Sequence, residues 1–290
     1  MMFAKQITAK TPLCLLGAAA LLVIGGATSM AQTLAPAQVL RVKQVYKPET
    51  ADSPLWTVEV ENTSQNVITA YGVSMVCHYP DGTTKESGVR TFDLGPLLAG
   101  RAGIMAQIEY LRSARPEAVS AVNPGEDPSF GPGATRRDTF SPPTTVAGIV
   151  PDSVIAAPAA FIFDDGTYAG NPDDLAFIFS ERRDELTKRT LLIDDLRLIE
   201  ASADRAGKLE ERLNVLATTL PSSLPAMKPM SRQTQILLDN PENRRTWQRQ
   251  QLLVLKRLVG SADSSALKPV ILHYEAEAAV YARLSKYAGQ

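Results

Sequence analysis

Two hydrophobic periods divide the chain. From about residue 37 to 170 apolar and polar side chains alternate, the period of half-buried strands; beyond Asn171 apolar positions recur every three or four residues, the period of helices. Val39 to Tyr46 reads as a first strand. In Leu55 to Asn62, Trp56, Val58 and Val60 alternate with Thr57, Glu59 and Glu61. Val67 to Tyr79 places Val67, Tyr71, Val73, Met75, Cys77 and Tyr79 on one face. The polar run Asn62 to Asn66 between these two strands predicts a hairpin loop. Tyr79-Pro80-Asp81-Gly82-Thr83 supplies turn residues, and Val89 to Phe92 is expected to pair back. Leu94-Gly95-Pro96 reads as a turn leading into a strand over Arg101 to Leu111. Ser113 to Ala160 is rich in proline, which cannot donate to a sheet ladder, so most of it is expected to be loop before Val154 to Phe163 resumes the sheet. Short strands with turn signals between them predict an antiparallel immunoglobulin-like β-sandwich over 37–170, with a long loop at 113–160.

The second period predicts an α-helical region over 171–290, so the fold class is α+β. Leu192, Leu196, Ile199, Ala203, Ala206, Leu209, Leu213, Leu216 and Leu220 form a helical stripe. No proline interrupts Asp173 to Leu220, which allows one helix on the order of 70 Å long. Gly207 is its weak point, and the step from 206 to 209 breaks a strict heptad. A packed hairpin is therefore expected rather than a coiled coil. Pro221 to Pro229 ends that helix. Shorter helices are expected at Ser231 to Leu238, Pro241 to Val259 and about Lys268 to Tyr287, folding back as a small bundle.

The first 31 residues change the picture of where the chain works. Lys5 and Lys10 precede the apolar run Leu13 to Ile24, and Ser29-Met30-Ala31 offers small residues before a cut after Ala31. That is an export signal at 1–31, and the run is short for a membrane span. Any membrane contact would be through this segment left uncleaved. The expected location is periplasmic or extracellular. Its removal takes two lysines from 30 basic residues and leaves 28 against 31 acidic, a balance of about −3. A charge so small and so mixed argues against nucleic-acid partners. Only Cys77 then remains, so no internal disulfide forms.

Candidate chemistry concentrates in FIFDDGTYAGNPDDLAFIFSERRDEL, residues 161 to 186. Asp164, Asp165, Asp173 and Asp174 are the metal-ligand candidates. Read locally, FDDGT is a turn, Asn171 caps a helix, Pro172 opens it, and Asp173 and Asp174 face the positive end of its dipole. An EF-hand is excluded, since alternate positions from Asp164 or Asp165 include Gly166, Tyr168 and Ala169. Cys77 and His78 are strand neighbours pointing to opposite faces, and His273 borders the last helical stripe. Ser265-Ala266-Leu267-Lys268 lacks the companion motifs of acylating enzymes, and Gly131-Pro132-Gly133 is not a dinucleotide loop. Asn62-Thr63-Ser64 is formally a glycosylation acceptor but reads better as loop. No catalytic residue and no cofactor is called for.

The stretches VENTSQNVITAYGVSMVCHYPDGT and FIFDDGTYAGN, the latter entering a charged helix, resemble a group of uncharacterised exported bacterial proteins. The resemblance covers Val58 to Arg189 and implies an immunoglobulin-like sandwich followed by a helical tail, with no catalytic residues. The expected function is a non-enzymatic module that binds an envelope or secreted protein, through the 113–160 loop or the Leu192 to Leu216 stripe. The alternatives are a divalent-metal-dependent hydrolase using the acidic 164–174 segment, and a carbohydrate-binding module.

Overall fold

A computed structural model describes residues 35–47, 55–114, 126–144, 148–218, 241–259 and 266–286. The export segment 1–31 and the helix expected at Ser231 to Leu238 lie outside them. Among the described residues are two antiparallel sheets and six helices, an α+β architecture. The first sheet has the order β1-β2-β5, with β1 Leu40–Tyr46, β2 Trp56–Asn62 and β5 Thr135–Phe140. The second has the order β4-β3-β6-β7, with β3 Ile68–His78, β4 Thr84–Asp93, β6 Ser153–Phe163 and β7 Tyr168–Ala169. One turn of helix, α1 Pro36–Val39, precedes β1.

Side chains from both sheets share one core. Val58 and Val60 of β2 meet Tyr71, Val73, Met75 and Cys77 of β3 and Phe161 and Phe163 of β6. The alternation in β3 shifts once. Ile68 and Tyr71 both face this core, while Ala70 faces away, and the pairing with β6 is irregular between Ile68 and Ala70. The extra residue of a bulge turns side chains to the other face in this way. Tyr79 to Thr83 closes the β3–β4 hairpin as the sequence predicts.

Four expectations give way. The run Asn62 to Asn66 is not a hairpin loop, because β2 pairs with β1 and β5 whereas β3 pairs with β4 and β6. It carries the chain from one sheet to the other. Buried Asn62 fastens it, donating to the carbonyls of Asn66 and Phe130 while accepting from Ser64. That amide is not presented for glycosylation.

The strand expected at Arg101 to Leu111 is instead a helix, α2 Gly95–Ala114. Pro96 sits in its first turn, where a missing N–H costs nothing, and the Asp93 carboxylate accepts from the Gly95 N–H at 2.9 Å. Much of the rest is alanine, leucine, methionine, glutamine, glutamate and arginine, all good helix formers. The 113–160 segment also holds β5, hidden from a search for alternating apolar residues because its inward face carries Arg136 and Asp138.

The single helix expected over Asp173 to Leu220 is two, α3 Pro172–Glu200 and α4 Arg205–Thr218. The break falls before Gly207, at Asp204, whose carboxylate accepts from the Gly207 N–H at 2.8 Å and starts α4. Helices α5 Pro241–Val259 and α6 Lys268–Leu284 follow. The stripe Leu192, Leu196, Ile199, Leu209, Leu213 and Leu216 is buried against Leu252 and Leu255 of α5 and Ile271 of α6. It is therefore an internal seam rather than an open partner groove. Helix α2 packs on α6, and Ala99 and Gly103 let the two approach until the His273 ring lies against Gly103.

Candidate functional site

The acidic segment folds as turn and cap. The Phe163 N–H donates to the Thr167 carbonyl at 2.8 Å, while the N–H of Gly166, at φ 83°, donates back to the Phe163 carbonyl at 3.1 Å. Asp165 accepts from both the N–H and the hydroxyl of Thr167, at 2.9 and 2.6 Å. Asp164 forms a 2.6 Å ion pair with Arg283 of α6. Asn171 caps α3 by accepting from the Asp173 N–H at 3.0 Å, and Asp173 and Asp174 occupy the first turn. Among the described residues, no three His, Cys, Asp or Glu side chains gather so as to hold a metal ion.

Cys77 is a buried free thiol, and burial pushes its pKa up, away from the thiolate that a nucleophile or metal ligand requires. His78 lies on the other face and meets its directly paired neighbour Thr84 at 3.1 Å. No Trp, Tyr or Phe among the described residues is fully exposed. A carbohydrate platform made by stacking on open aromatic rings is not displayed there.

The structure brings together charged groups that the sequence presents only as a solvated helix face. Arg182 of α3 has a fully buried side chain and reaches three places. It pairs with Asp93 of β4 at 2.6 Å, donates to the Thr69 carbonyl of β3 at 2.8 Å, and donates to the Leu284 carbonyl of α6 at 3.1 Å. Asp93 in turn holds the first N–H of α2. A single guanidinium thus ties sheet, α2, α3 and α6 together.

Two turns further along α3 lies a second cluster. Arg189 pairs with Glu185 and with Glu277 of α6, and its guanidinium stacks about equally on Trp247 of α5 and Tyr281 of α6, 5.1 and 5.0 Å from the ring centres. Burial works against ionising Glu277, but His273 at 3.2 Å and Arg189 outweigh it and hold the carboxyl below its usual range. Asp184 behaves likewise, with Lys188 and Arg244 outweighing its burial. The His273 Nδ1 is buried without a partner. Deeper in the helices, buried Asp195 joins Arg212 of α4 and Gln248 of α5, each at 2.6 Å.

A third link crosses between the sheets. The buried Tyr71 hydroxyl donates to Asp138 of β5, which also accepts from Arg136 at 2.9 Å, and Tyr71 stacks on Phe92. Burial and then the Asp138 charge push the phenol well above its usual pKa, so it stays a donor. These clusters join elements. The pairs at α3 had a legible half, the i,i+4 charges of one helix; their partners on β3, β4, α5 and α6 lie 60 to 113 residues away and leave no local trace.

No protein-family model and no curated protein matches the chain. A solved structure of a hypothetical protein from Peptoclostridium difficile 630 aligns with TM-score 0.25 and 12% identity, over 47% of this chain and 88% of that one. A likeness that slight says nothing about activity.

Proposed function

We propose that the chain is an exported, immunoglobulin-like interaction module with a helical tail, which binds another protein of the envelope or secretome. The observation that carries this reading is the distribution of its side chains. Its charged clusters sit at joints between elements, whereas aliphatic side chains stand in solvent in runs. Leu97, Ile104 and Met105 do so on α2, and Leu253, Val254 and Leu258 on α5, with Val254 73% exposed. Grouped aliphatic exposure is a mark of contact surfaces. Strand order supports the immunoglobulin-like part. β1-β2-β5 against β4-β3-β6-β7 corresponds to strands A-B-E against C′-C-F-G, with α2 standing where strand D would run. The inter-sheet disulfide of antibody domains is missing, since the sequence offers Cys77 alone after export, and the Tyr71–Asp138 contact bridges the sheets instead.

Photo-cross-linkers at Met105 and Val254 test the reading in the intact envelope. A discrete adduct, abolished by Leu97→Glu or Leu253→Glu respectively, is expected; absence of any adduct at both positions would sink it. A thermal melt with calcium, magnesium, manganese and zinc separates it from the metal-dependent hydrolase. An ion at 100 times its Kd adds about 2.7 kcal/mol. A shift with one ion that Asp165→Asn removes would turn the reading toward that enzyme.

A further inference from the structure

The second sheet is unfinished. β7 pairs with β6 only at Phe161 and Ile162. The chain then leaves at Gly170, whose φ of 123° and close approach to Ala160 turn it off the sheet. From Ser153 to Ala159, no strand among the described residues neighbours β6 on the side away from β3. β1 and α1 both come near β6, but the ladder of β1 goes to β2, broken only by the bulge at Lys43.

This edge differs from the other three. β1 carries Arg41 and Lys43 and a bulge; β4 carries Lys85, Glu86 and Arg90 and a bulge; β5 carries Arg136, Arg137 and Asp138. Charges and bulges of this kind keep edges from pairing with other chains. The open edge, Ser-Val-Ile-Ala-Ala-Pro-Ala, has no charge, and Ile155 on it is 61% exposed. A bulge at Ala159 and the proline at 158 guard its far end, so the unguarded row runs from Ser153 to Ala157.

We propose that this edge of β6 accepts an extended, uncharged strand from a partner protein, which completes the sheet in line with β7. The inference rests on the reading of the chain as an interaction module and adds a second contact to its helical surfaces. An unpaired row of backbone donors and acceptors selects an extended backbone, and strand addition of this kind is a recurrent mode of recognition. Continuity with the β6–β7 ladder sets the line of the added strand. The uncharged edge selects a strand without charges, with small apolar side chains alternating toward Val154 and Ala156, which face the core.

An acetylated and amidated eight-residue peptide alternating threonine and valine is the probe. Saturable binding is expected, with amide exchange between Ser153 and Ala159 slowed at least tenfold. Ile155→Lys, which reproduces the guard charges of the other edges at an exposed position, is expected to weaken binding at least tenfold with an unchanged melting temperature. No saturable binding, or binding indifferent to Ile155→Lys, would overturn the proposal. A chain that is dimeric without peptide, with the same amides already slow and Ile155→Lys making it monomeric, would also overturn it, by giving the edge to a second copy. Adducts at Met105 or Val254 alongside a failed peptide would leave the interaction module standing on its helical surfaces.

Discussion

At the scale of single residues, buried charge decides more than exposed acidity. Arg182 satisfies one carboxylate and two carbonyls from three different elements. Replacing it with alanine leaves all three without their donor in a dry site, so Arg182→Ala is expected to cost about 3–5 kcal/mol, read by urea denaturation. Gly170→Ala combines a left-handed backbone with a Cβ set 2.5 Å from that of Ala160, and a lowered melting temperature is the expected result. The depressed carboxyls of Glu277 and Asp184 fix a pH dependence. Their folded pKa values lie below the ordinary 4.5 and 3.8, so their contribution is complete above about pH 4.5 and is lost as pH falls through the folded values. Melting temperature should drop on acidification in that window, and Glu277→Gln should flatten the drop. The turn and cap at Asp165 and Asn171 were legible from sequence because each involves neighbours two residues apart. The Arg182 and Arg189 sites were not, because an arginine on a charged helix looks the same whether water or a distant carboxylate receives it.

Among elements, local capping chemistry corrects the hydrophobic period. The apolar stripe runs through Ala203 and Ala206 without a gap, yet α3 ends at Glu200 and Asp204 begins α4. Asp204→Ala is expected to cost about 1 kcal/mol through the lost cap, visible as faster amide exchange in the first turn of α4. Both α2 and β5 were hidden for one reason. Each presents an inner face unlike the pattern of its type, α2 with Ala99 and Gly103 against another helix and β5 with Arg136 and Asp138. Periodicity reports faces that meet an apolar core. It is silent where an element packs through small residues or polar pairs. The stripe of α3 and α4 did report its burial, and its cover is α5 and α6. A chain ending at Thr218 should therefore aggregate; a soluble monomer would contradict that packing.

Across the whole molecule, the helices and sheets are joined in ways that cross the boundary of periods near Asn171. The outer face of β6 at Ala160 and Ile162 is covered by Leu175, Ile178 and Phe179 of α3, α2 packs on α6, and Arg182 ties the sheet to α6 through Asp93, Thr69 and Leu284. Far-ultraviolet and aromatic near-ultraviolet melts are expected to coincide in one transition; a separate early loss of helix would show that the two periods fold independently. The sequence by itself determined what depends on near neighbours: strand and helix periods, the β3–β4 turn, the FDDGT turn, the Asn171 cap and the α+β class. Only the tertiary structure decided which strands pair, that Asn62 carries the chain between sheets, that the helical stripe is covered from within, and that no strand among the described residues covers β6 from Ser153 to Ala159. Those are facts about partners far apart in the chain, and burial and hydrogen bonding choose such partners by proximity in space, which no local pattern of residues records.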